Sequence, residues 1–223
     1  MALTVSDSGG GDFAPCPEGT HIARCVRVID LGMQPGSVQF PEPRHRVQFV
    51  WEVPGELVVI DSEERPTLLM ARYSASLHKK SQLRAMLESW RGRAFTDPEL
   101  KGFALKNVLD ATCMVSVVHT PDGKFANVRT VSKMPRGIVA PGRMLDLVHY
   151  EIEDGHNAVY AQLSEKMRAT IDIGAGLVAA PVQVAPAAPA YDTQRRGGEL
   201  RQAVASMPPV AAMPDYLDAD IPF

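Results

Sequence analysis

The chain is short of the residues that most catalytic, disulfide-stapled and membrane-spanning proteins need. Aromatic residues fill 6% of its 223 positions, and only two of them are tryptophan. Its three cysteines, Cys16, Cys25 and Cys113, form no Cys-x-x-Cys pair and are odd in number. That argues against a disulfide framework or a zinc site and fits a reducing compartment. No stretch approaches the roughly 18 uncharged apolar residues of a membrane helix. The opening "MALTVSDSGGGDF" lacks the basic segment and apolar run of a secretory signal, so a soluble, cytoplasmic protein without membrane contact is expected. The phosphate-cradle pattern GxxxxGK[ST], the zinc pattern HExxH and the nucleophile pattern GxSxG are all missing. The six histidines (21, 45, 78, 119, 149, 156) show no ligand spacing, and turn chemistry explains "EIEDGH" at 151–156 more simply than a metal does. No enzymatic activity, metal or cofactor is expected.

What the chain does have is an uneven distribution of charge. The net value of −3 argues only weakly against a polyanionic partner. Residues 1–64 carry four Lys/Arg against ten Asp/Glu, residues 65–136 thirteen against five, and residues 137–223 six against eleven. A block of net +8 between acidic flanks is the electrostatic footprint of a polyanion binder whose ends serve another purpose. Hydrophobic residues make up 45%, enough for a real core.

Hydrophobic periodicity organises the chain. Residues 1–14 are Ser/Gly-rich and read as a flexible N-terminus. "THIARCVRVIDLG" from Thr20 is a first strand, "MQPGSVQFPEP" a long loop and "RHRVQFVWEVP" a second strand. In the second strand Val47, Phe49, Trp51 and Val53 alternate with Arg44, Arg46, Gln48 and Glu52. "GELVVIDSEE" reads as a turn or irregular extension, and "RPTLLMARYS" as a third strand. Leu83, Met86, Leu87 and Trp90 recur at i, i+3, i+4 and i+7, so a helix is predicted from near Ser81 to Gly92. "FTDPELKG" is a short capped turn, "TCMVSVVHT" and "FANVRTVSK" are the fourth and fifth strands, and "PDGK" turns between them. Five strands with a helix between the third and fourth is the layout of a β-barrel of the OB-fold, a mainly β class, spanning 15–136. Another α+β domain with an antiparallel sheet stays open. Residues 137–173 form an extension with a short helix. From 174 to 214 an Ala/Pro-rich linker follows, and 215–223 is an acidic tip.

OB barrels bind oligonucleotides across strands two and three and the flanking loops. Arg44 and Arg46 leave the apolar face of strand two, and Arg72 and Tyr73 close strand three. Strand five puts Phe125, Asn127, Arg129 and Lys133 opposite Ala126, Val128 and Thr130, with Lys124 in the hairpin. Cations for phosphates and flat rings for bases are what single-strand binding requires. Phe49, Trp51 and Trp90 sit at core spacing. Tyr73 and Phe125 are open between core and base-stacking roles, and Phe40 in the Pro-rich loop is a weaker candidate. Lys79 and Lys80 lie at the mouth of the helix, where they are either a phosphate clamp or a solvated charge pair.

Two stretches carry a family resemblance. "EGTHIARCVRVIDLG", "FVWEVP" and "RYSASLHKKSQLRAMLESWRGRAFTDPELKGFALKNVL" resemble a family of bacteriophage OB-fold single-stranded DNA-binding proteins, over about 17–135 and more loosely to 173. The final "DADIPF" resembles the tail tip of bacterial single-stranded DNA-binding proteins. That resemblance implies that Phe223 enters an apolar pocket on a partner and that its carboxylate meets a basic residue. Asp215, Asp218, Asp220, Ile221 and Pro222 complete the partner-binding segment. Ala219 stands where a third acidic residue is often found. The implied partners are single-stranded DNA and replication or recombination proteins such as a helicase, nuclease, primase or annealing protein, in the cytoplasm of a bacterial host. Self-association into a homo-oligomer stays open. The expected function is sequence-nonspecific protection of single-stranded DNA in phage replication or recombination. A strand-annealing protein and a decoy for host replication proteins are the rivals, and a metal-dependent nuclease is a distant one.

Overall fold

The computed structural model describes residues 14–37, 40–60 and 62–176. The chain divides into two units, Met1–Val182 and Gln183–Phe223, and every described residue belongs to the first. The expected linker and tip lie outside the described residues from position 177 onward, as do the first thirteen residues of the expected flexible N-terminus.

Six strands form one mainly antiparallel sheet: β1 (Gly19–Gln34), β2 (Arg44–Ile60), β3 (Glu63–Ser74), β4 (Thr112–His119), β5 (Ala126–Ser132) and β6 (Val148–Tyr150). The order is β3-β2-β1-β4-β5, with β6 added parallel to β1. The strands come in the expected succession, and the fold is mainly β. The expected barrel is not closed, because β3 and β5 end the path and share no ladder. Instead, helix α1 (Gln82–Arg91) packs against both of them.

That helix forms where its pattern and caps dictate. Ser81 Oγ accepts the Leu83 N–H at one end. At the other, Gly92 takes the left-handed conformation (φ 68°) and returns its N–H to the Glu88 and Ser89 carbonyls. Leu83, Met86, Leu87 and Trp90 are buried on one face against Phe49, Trp51, Leu69, Val115 and Val131. Phe49 stacks on Trp51 at 5.8 Å between centroids, and Trp90 sends its indole N–H to the Thr112 carbonyl at 3.0 Å. Each such side chain contributes about 1.5–3 kcal/mol on burial. The short helix α2 (Asp97–Lys101) follows, with Thr96 and Glu99 as a capping box and Pro98 in its first turn.

Three elements depart from the sequence expectation. The stretch 55–64, read as a turn or irregular extension, mostly continues β2 and β3 as a two-stranded ribbon, with Leu57 to Ile60 pairing with Pro66 to Glu63. A register shift between Val53 and Leu57 separates that ribbon from the rest of the ladder, and the pairing of β1 with β2 stops at Arg24 and Glu52. The region 137–173 holds two helices, α3 (Ala158–Gln162) and α4 (Glu165–Gly174), and β6 as well. Ile29, Leu31, Tyr150, Tyr160, Leu163 and Ile171 build a second core there, on the other side of β1. This explains the third departure. Gln48 and Glu52, expected with Arg44 and Arg46 on the face of strand two away from the apolar one, are 1% and 0% exposed. The backbone N–H groups of Met144 and Leu145 donate to the Glu52 carboxylate at 3.0 and 2.9 Å, so the segment after β5 lies over the outer face of β2.

Candidate nucleic-acid interface

The positive side chains of the described residues fall into two populations. Arg24, Arg65, Arg84, Arg91, Arg93 and Arg143 each have a carboxylate within 4 Å. Among the described residues Arg44, Arg46, Arg72, Lys79, Lys80, Lys124, Arg129 and Lys133 form no ion pair, and neither do Arg27, Lys101, Lys106, Arg136, Lys166 and Arg168. An unpaired cation at a surface keeps its full field for a ligand. The expected cationic residues are all of this second kind.

Three of them meet in one trough. A cleft of about 490 Å³ is lined by Phe40, Arg44, Arg46, Ser74, Ser76, His78, Lys80, Ser81 and Gln82. β2 supplies the two arginines from its outer face, and the end of β3 supplies Ser74, which pairs with Arg46. The turn before α1 supplies His78 and Lys80, and its shape is held by the Lys80 N–H on His78 Nδ1. Phe40 is 61% exposed, and the Arg44 guanidinium stands 5.7 Å over its ring. The first turn of α1 carries no acidic residue, and Ser81 and Gln82 at its N-terminus line the trough, which favours an anion there. Lys79 is exposed beside Lys80 but is not part of the lining.

From the trough a row of outward residues runs along β3: Ser74, Arg72, Met70 and Leu68. Arg72 is exposed at its middle and donates to Gln48 at 2.7 Å. Desolvation, and then the neighbouring Arg46 charge, lower its pKa. The far end of the row opens into a second, more apolar cleft of about 490 Å³. Met70, Leu68, Ile60 and Phe125 line it, with Arg27, Arg65 and Lys124 at hand. Phe125 is 65% and Met70 57% exposed. The row between the clefts spans about 20 Å at strand geometry.

The remaining expected residues lie elsewhere. Tyr73 faces inward: it pairs with Val47, stands edge-on to Phe49 at 5.9 Å, and burial raises its pKa. Its position is that of a partly buried core residue, not of a ring standing free in the trough. Arg129 lies opposite the step between Ser116 and Val117, in a β-bulge. The bulge breaks the expected alternation of strand five, so Val128 packs inward, Thr130 turns out and Val131 is core. Arg129 lines a cleft between β3, β5 and α1. Lys133 falls past the bulge, at the other end of α1, where its stem lies against Gly92. The tail residues Asp215, Asp218, Asp220, Ile221, Pro222 and Phe223 are outside the described residues.

Residues 14–16, the ribbon strand 58–60 and Gln82 are parts of the clefts that sequence reasoning missed. Only Gln82 had a usable signal, its place at the first turn of a capped helix. Among the described residues no group of three His, Cys, Asp or Glu is placed to hold a metal, and no helix is long and apolar enough to cross a membrane. The three cysteines are buried free thiols, and burial pushes Cys16 up to about 11 and Cys25 up to about 12. No family model matches the chain, and no curated protein or solved structure matches it.

Proposed function

We propose that this protein binds single-stranded DNA without regard to sequence, in phage replication or recombination, and recruits partner enzymes through its acidic C-terminal tip. The observation that carries the reading is the trough that Arg44, Arg46 and Lys80, without ion pairs among the described residues, line together with exposed Phe40. Phosphates would lie against the cations, with release of counterions, and bases would stack on Phe40 and, past Arg72, on Phe125. The path fits the strand-two and strand-three face of an OB-fold, and we read the open sheet as a member of that class. The resemblance of the central segments and of "DADIPF" supports the phage setting and the partner-binding tip. The chemistry is binding alone, with no covalent step.

The test is a fluorescence titration with oligo-dT, duplex DNA and RNA at two salt concentrations. Preference for the single DNA strand, weakening as salt rises, is expected. A protein that leaves oligo-dT unbound in dilute buffer overturns the reading. Removal of residues 215–223 is expected to spare DNA affinity while abolishing capture of a replication or recombination enzyme.

A further inference from the structure

We propose that the cleft where the sheet fails to close holds a single nucleobase of the bound strand, and that Arg129 makes guanine the favoured one. The proposal rests on the single-strand reading above and amends it at one position: the rest of the path ignores sequence, and a single site prefers one base.

The cleft, about 380 Å³, is lined by Tyr73, Gln82, Ala85, Met86 and Ser89 and by β5 from Val128 to Val131. Its size is that of a small-ligand pocket. Its walls offer both kinds of contact a base needs. Tyr73, Met86 and Val128 are apolar, while Gln82, Ser89, Arg129 and Thr130 carry donors or acceptors. β3 and β5 end the sheet, so both present an edge with no ladder at this seam.

The bulge points the same way. One extra residue in β5 leaves Arg129 without a cross-strand partner, and bulges next to binding sites re-aim a side chain. This arginine forms no ion pair among the described residues and lines the seam. Guanidinium groups bind the O6 and N7 acceptors of guanine as a bidentate pair. Gln82 belongs to the lining of both this cleft and the cationic trough. A strand whose phosphates lie in the trough can therefore turn one base inward at Gln82 without leaving its path.

The experiment titrates the full chain against an all-dT oligonucleotide of about 15 nucleotides, within the range of one OB-type site. Three further oligonucleotides carry one central dG, dA or dC. The dG strand is expected to bind about fivefold tighter than all-dT, the low end for a bidentate arginine–guanine pair. Replacing that guanine by 7-deazaguanine, which lacks N7, is expected to remove most of the gain. The dG-to-dT ratio falls to about one in Arg129→Ala. It falls likewise in Ala85→Tyr, which fills the cleft from the exposed side of α1 while all-dT still binds. Equal affinity for all four strands, or a dG preference that survives both substitutions, overturns the base cleft and leaves single-strand binding standing. Failure to bind any of the four overturns the reading beneath it.

Discussion

The two ends of helix α1 carry similar numbers of positive residues and use them in opposite ways. At the C-terminal end Arg91 and Arg93 both pair with Glu99, and Arg91 also stacks on Phe95 and Phe103 at 4.4 and 5.1 Å. At the N-terminal end Arg44, Arg46 and Lys80 surround the cap with no carboxylate in reach among the described residues. Counting charge along the chain does not separate the two ends, and it even places Arg44 and Arg46 in the acidic segment 1–64. Pairing separates them: the first set of cations holds α2 and the following loop onto the helix, and the second is left for a ligand.

The widest separation between the ends is expected from charge reversal. Arg44→Glu together with Arg46→Glu should weaken oligo-dT binding about a hundredfold and lower the slope of log K against log salt by about 1.4, the share of two phosphate contacts. Equilibrium titration at several salt concentrations reads both numbers. A double variant within threefold of the parent would mean that the trough is not the DNA path.

The C-terminal end should respond in stability and not in binding. Gly92 has φ 68°, and a Cβ there would stand 2.6 Å from the Lys133 Cδ. Gly92→Ala is expected to cost about 1 kcal/mol in chemical denaturation, with oligo-dT affinity unchanged. Acid should find the same region. Hydrogen bonds from Arg93, then from the Thr96 N–H and from Arg91, hold the Glu99 carboxyl well below the usual carboxylate range. Its contribution is complete above the unfolded value near 4.3 and is lost as pH falls through the lower folded value. Melting temperatures measured from pH 6 to pH 3 should therefore fall less steeply in Glu99→Gln than in the parent. An identical slope would remove Glu99 as a holding point.

How far these differences can be read from the sequence depends on whether their causes are local. The span of α1 is written in Ser81, the four spaced apolar residues and Gly92, and the structure begins and ends the helix there. The strand succession is legible from alternation, and so is the inward set of β2. Burial of Glu52 is not, because it depends on a segment some 90 residues away whose backbone donates to its carboxylate. The placement of Tyr73 and Arg129 is hidden for a related reason. Which way a residue faces follows from register, and register is decided by cross-strand partners and by a bulge that shifts the parity of everything after it. Arg44, Arg46 and Lys80 could be proposed one by one. Their meeting in one trough needed the β2–β3 pairing and the turn into the helix.

Lys133 offers the smallest expected effect and the sharpest test of the comparison, since the face pattern of strand five places it with Arg129. Past the bulge it lies instead in a cleft with Arg24, Arg91 and Arg93, and its own N–H is bound to the Ser89 carbonyl. It is nevertheless without an ion pair among the described residues, like the cations of the trough. If position along the strand face and the trough decides, Lys133→Ala should change oligo-dT affinity by less than about twofold and leave the salt slope as it was, because one solvated lysine off the path removes no phosphate contact. If lack of a partner alone made a cation available, the same substitution would weaken binding severalfold and flatten the slope by about 0.7. The second outcome would extend the DNA path around the C-terminal end of α1 and erase the contrast between the two ends.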